Sequence, residues 1–139
     1  FKQDFRIFPD AEMVQRIEKE AKDTKLQYLW RLADLGNMGH IFVAYFKPVG
    51  DDYQGAIVLA NDDTISMTKY PAIYSLDGTS IWRVGDGGDF SPNVFEVERV
   101  LQAKQGSVKF ILKWRGQVGV NHYRLTQKGK DLFKEFIIN

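Results

Sequence analysis

The sequence predicts an α+β chain. An N-terminal helix and an antiparallel β-rich module precede a three-stranded antiparallel sheet with a C-terminal helix. Three observations carry this. Apolar residues recur at helical spacing near both ends of the chain. The runs between them alternate apolar and polar side chains with period two, as half-buried strands do. The stretch Gly85–Asn93, GDGGDFSPN, gathers glycine, aspartate, asparagine and proline as a linker would. It separates residues 1–89, a helix plus β-rich module of no recognised family, from residues 90–139. A chain of 139 residues accommodates one medium domain or two small ones.

Taken in order, FKQDFRIF reads as a short edge strand, with Phe5 and Ile7 apolar. Asp10 can cap a helix over 10–23, whose apolar stripe is Met13, Val14, Ile17 and Ala21. The stripe is narrow, so one side of the helix faces water. LQYLWRLA places Leu26, Tyr28, Trp30 and Leu32 on one strand face. HIFVAYFK is almost wholly apolar and reads as a central strand. Residues 48–55 read as a loop. AIVLA and TISMTKY flank an Asn61-Asp62-Asp63 turn, and AIYSL pairs with SIWRV across Asp77-Gly78.

The second part opens on VFEVERVLQAKQGSVKFILKWRG, Val94 to Gly116. Val108, Phe110, Leu112 and Trp114 alternate with Lys109, Ile111, Lys113 and Arg115. Gly106 can take the positive φ of a tight hairpin. The first run also admits a helix, with Ser91 as cap, Pro92 in the first turn and Gly106 at the end. VNHYRLT supplies a third strand. KDLFKEFII reads as a helix with Leu132, Phe133, Phe136 and Ile137 apolar, and Phe110, Leu112, Phe133 and Phe136 are expected to be buried together.

The string FEVERVL, Gly106, VKFILKWRG resembles the opening of a chromodomain. Phe95, Val97, Glu98, Val100, Leu101, Gly106, Phe110, Lys113, Trp114 and Gly116 match that family's pattern in type and order. The resemblance implies strands rather than a helix over 94–104, with a C-terminal helix packed across three curved strands. It also implies a non-enzymatic chromatin module of the nucleus that binds a histone tail as an added strand beside Phe95–Val97. By position, Phe95 and Trp114 correspond to two walls of a methyl-lysine cage. Gln117 stands where the third aromatic belongs, and Tyr123 is a substitute wall. Cation–π attraction is the physics of such a cage. The missing third aromatic equally suits an assembly role, dimerising or docking on another chromatin protein as chromoshadow domains do.

Charge supports a third reading. Residues 1–89 carry ten Lys/Arg against fourteen Asp/Glu, a net of −4, whereas residues 90–139 carry nine against four, a net of +5. The basic part could hold nucleic acid through Lys104, Lys109, Lys113, Arg115, Arg124, Lys128 and Lys130, some of them at strand spacing. Other chemistry is thin. The chain has no cysteine, which excludes disulfides and thiolate sites. His40 and His122 have no ligand or triad spacing beside them, and Asp86 and Asp89 do not fit the twelve-residue calcium loop. Neither a cofactor nor a metal is expected. The longest apolar run, Ile41–Phe46, is too short to span a bilayer as a helix, and nothing in the first residues reads as a secretory signal.

Overall fold

The computed structural model describes residues 2–7, 11–22, 24–47, 53–74, 82–83, 95–115 and 120–137. Its elements are β1 (Lys2–Ile7), α1 (Ala11–Glu20), β2 (Leu26–Asp34), a 3-10 turn at Gly36–Met38, β3 (His40–Phe46), β4 (Tyr53–Ala60) and β5 (Ile65–Tyr74). Then follow β6 (Trp82–Arg83), β7 (Phe95–Lys104), β8 (Ser107–Arg115), β9 (Val120–Lys128) and β10 (Asp131–Ile137). One sheet runs β1-β2-β3-β4-β5-β10-β9-β8-β7, with β6 paired to β5 off that path. It curls until β7 approaches β2.

The fold is therefore mostly β, which corrects the α+β, chromo-like expectation. The error lies at the C-terminus. DLFKEFI is β10, not a helix. Its seven residues satisfy either period, because Leu132 and Phe136 serve both a helical stripe and an alternating row. Gly129, at φ 60°, closes a tight turn that sets Asp131 opposite Lys128, and every residue to Ile137 then pairs with β9. A lone helix of that length gains little in water, whereas the strand satisfies a full ladder.

Residues 95–128 do form three antiparallel strands about a Gln105-Gly106 turn, so the strand reading of the first run holds. The expected helix near residue 10 is α1, with Ile17 and Ala21 buried and Met13 and Val14 packed beside them. β3 is buried on both faces. The Asn61 turn occurs as read, and β5 pairs with β6, but TISMTKY and the start of AIYSL form one continuous strand rather than two, and Asp77-Gly78 lies outside the described residues. β2 departs from simple alternation. Irregularities after Leu26 and Arg31 shift its register, so Leu29 faces α1 while Leu32 and Ala33 both enter the opposite core. Gly85–Asn93 lies outside the described residues.

Two apolar layers result. On the convex face α1 packs on Phe42, Ala44, Phe46, Val58 and Met67. On the concave face Ile41, Val43, Leu59, Phe95, Phe110, Leu125 and Leu132 share one core drawn from both parts of the chain. α1 is tied down by Arg16, whose Nη2 donates to the Asn61 carbonyl at 2.7 Å, and by Glu18, whose carboxylate accepts from the Leu26 amide at 2.7 Å.

Candidate functional site

The two ends of the curled sheet differ. At one end, among the described residues, sit the short turns β2–β3, β4–β5, β7–β8 and β9–β10. They are stitched locally and to each other. The Asn61 side chain accepts from the amides of Asp63 and Thr64, and Gln105 Nε2 reaches Asp63 Oδ2 at 3.4 Å. A buried polar chain runs just inside this end. Gln127 Oε1 accepts from the Val108 amide, Gln127 Nε2 donates to Ser66 Oγ, and Ser66 Oγ donates to the Gly129 carbonyl.

The other end is aromatic. Tyr28 and Trp30 stack on β2, and both meet the ring of Tyr45 edge-on across β3. On β9 and β10, Tyr123 and Phe136 are register partners whose rings lie 5.6 Å apart in a T-shape. Trp30 and Tyr123 pack against the concave core, while Tyr28 stays 46% and Phe136 57% exposed.

Between these ends the wall opens. β10 joins β5 in parallel, and Asp131↔Met67 is the one pair in register among the described residues. Past that pair lies a groove of about 660 Å³ between Met67 and Thr68 on one side and Leu132, Phe133 and Lys134 on the other. The end of α1 contributes Glu20 and Lys22, and the β9–β10 turn contributes Lys128 and Lys130. Register decides what the groove connects. Leu132 and Lys134 stand opposite Gln127 and Leu125, on the concave side with the core, while Phe133 stands opposite Thr126 on the outside. The groove is thus lined by residues of both parities of β10.

Its charge is mixed but mainly positive. Lys130 Nζ lies 3.5 Å from Glu20, bridging α1 and the turn. Lys128 Nζ sits 4.6 Å above the Phe133 ring, and Lys134 Nζ sits 5.3 Å from the centre of the Tyr123 ring. Partial burial lowers the Lys134 pKa from its ordinary value, because an ammonium loses hydration there. Among the described residues no group of three or more His, Cys, Asp and Glu could hold a metal ion.

The residues singled out by sequence fall elsewhere. Phe95 and Val97 are 1% and 0% exposed, inside the concave core. Phe95 is in register with Trp114, whose side chain lies outside the described set, as does all of Gln117. Among the described candidates, Tyr123 borders the aromatic end. Phe133 and Phe136 are exposed rather than buried with Phe110 and Leu112, because β10 turns them to the outer surface and to the open end. His122 Nε2 pairs with Glu98 at 3.1 Å and His40 Nδ1 lies 3.6 Å from Asp34. Lys134 went unread because a helical period puts it on the wet face. Strand parity would have set it between Leu132 and Phe136, an inward charge in an apolar row.

No family model, curated protein or solved structure matches the chain.

Proposed function

We propose that this chain is a non-enzymatic binding protein for a small amphipathic molecule, held where the sheet opens at the β5–β10 seam. One observation carries the reading. The groove at the β5–β10 seam has a volume of about 660 Å³ and is lined by Met67, Thr68, Leu132 and Phe133 together with charged residues of α1, β10 and the β9–β10 turn. Ligand sites typically measure about 300–1,000 Å³, are mostly apolar with a few polar groups, and favour the mouths of curled sheets and barrels.

The reading of a nuclear histone-tail module has less support. Its leading cage residue, Phe95, is 1% exposed, and the edge beside Phe95–Val97 approaches β2. A nucleic-acid stripe is also less favoured. Lys113 is in register with Glu96, and Arg124 pairs with Glu135 at 2.9 Å, so the outer face alternates in sign.

The test is fluorescence titration with 1-anilinonaphthalene-8-sulfonate, followed by displacement with a panel of amphipathic small molecules. Saturable one-to-one binding is expected, weakened by Thr68→Trp, which narrows the groove. A folded protein showing no saturable binding to any member would overturn the reading.

A further inference from the structure

We propose that the groove takes an amphiphile with a single negative charge, its head at the Lys128 ammonium and its apolar body against Phe133. The inference rests on the small-molecule reading above and adds the charge of the ligand and the residue that meets it.

The lysines that line the groove are not equivalent. Lys130 is bound to Glu20, and Lys134 is engaged with Tyr123, so neither is assigned to the ligand. Lys22 and Lys128 remain, and among the described residues neither is in an ion pair. Lys128 is the better placed of the two. Register sets Asp131 directly opposite it, yet Lys128 reaches diagonally past that carboxylate, and its Nζ lies 4.6 Å above the Phe133 ring. A ring face attracts the charge without supplying an oxygen acceptor. The ammonium is therefore held over a groove wall while keeping N–H donors for an anion, and each hydrogen bond it makes there is charge-assisted.

Position limits the head to one charge. Asp131 stands opposite Lys128 and Glu20 lines the same groove, so a second negative charge on the ligand meets carboxylates. The apolar body follows from the ring under the lysine. Phe133 lines the groove with 49% of its surface exposed, and Met67 and Leu132 line it as well. A head bound at Lys128 thus sets the rest of the molecule against the Phe133 ring, inside the groove and not at the aromatic end of the sheet.

The experiment is fluorescence titration with two probes of the same ring system, 1-anilinonaphthalene-8-sulfonate and N-phenyl-1-naphthylamine, which differ by the sulfonate. The wild type is expected to bind the sulfonate about fivefold more tightly, the upper end for one exposed charge pair, and the preference should shrink as salt is raised. Lys128→Gln should bring the ratio of the two affinities close to one, and Lys128→Arg should retain it. Both variants lie at an exposed position, and a melting curve confirms that they fold. Thr68→Trp should weaken both probes, which assigns them to the groove. Equal affinity of the wild type for the two probes would overturn the charge assignment while leaving the binding reading intact. A preference that survives in Lys128→Gln would overturn the role of Lys128, and probes insensitive to Thr68→Trp would overturn the groove as their site. Binding of neither probe by folded wild type would overturn this proposal and count against the broader reading too.

Discussion

Ser66 and Gly129, 63 residues apart in sequence, are joined by a hydrogen bond of 2.5 Å from the Ser66 hydroxyl to the Gly129 carbonyl. With the Met67 amide donating to the Lys130 carbonyl at 3.0 Å, it holds the seam between β5 and β10. Ser66 is fully buried, so Ser66→Ala leaves the Gly129 carbonyl and the Gln127 amide short of a partner. The expected loss is about 1–3 kcal/mol in urea denaturation. The Ser66→Ala, Gln127→Leu double variant should lose less than the sum of the two singles, because it removes two halves of one contact. Full additivity would show that the two side chains are not coupled.

The β2–β3 turn contains two glycines of unequal importance. Gly39 has φ 111°, and a Cβ there would sit 2.3 Å from the Ala60 carbonyl oxygen. Gly36 has φ 63° with nothing within 4 Å of its would-be Cβ. Gly36→Ala should cost about 1–2 kcal/mol from backbone strain alone. Gly39→Ala should cost distinctly more, since the β3–β4 register must also give way. Comparable melting temperatures for the two variants would contradict the close approach at Ala60.

Phe95 and Phe136 separate a core role from a surface role. Phe95→Ala should lower stability by about 3–5 kcal/mol, as for a fully buried ring. Phe136→Ala, at an exposed ring, should change it by about 0.5 kcal/mol or a little more. Denaturant midpoints decide this. A mild Phe95→Ala variant would restore Phe95 as a candidate for surface recognition.

Lys134 gives a pH signature. Its pKa in the folded chain lies below 10.5 because burial disfavours the ammonium. Between the lowered value and 10.5 the unfolded chain binds more protons, so this residue makes stability rise with pH across that window. Below the window the desolvation cost is present in full. Lys134→Met should therefore stabilise the protein relative to wild type at neutral pH, with the advantage shrinking toward pH 10. Glu20, Lys22, Lys128, Lys130 and Asp131 line the groove in both proteins, so the difference isolates Lys134. A difference that stays constant from pH 7 to 10 would mean the amine is fully hydrated.

Local pattern was enough for α1, for β3 and for the hairpins about Asn61 and Gln105-Gly106. Each of these has a cap, an apolar run or a turn residue within its own few positions. It was not enough for β10, because seven residues of mixed apolar and charged type fit either period. The β5–β10 seam left no local trace, since parallel pairing between distant segments depends on neither turn residues nor spacing. With the seam unread, the groove and Lys134 could not be found. The match of residues 95–116 to a chromodomain opening reflects a real hairpin with a glycine turn and one buried face. Such a hairpin occurs in many β architectures, and its inward residues Phe95, Val97, Phe110 and Leu112 serve packing here.

The order of strands also sets a timetable for folding. Among the described residues every ladder except the seam joins strands that are consecutive in the chain, so β1 to β6 and β7 to β10 can each zip from their own turns. The seam must draw together groups 63 residues apart, and the entropy of that closure is met only after the hairpins exist. Amides in the β3–β4 and β8–β9 ladders should gain protection from hydrogen exchange early in refolding, and the Met67 amide last. The same step that completes the sheet creates the groove, so a ligand bound there would slow the first event of unfolding rather than the last.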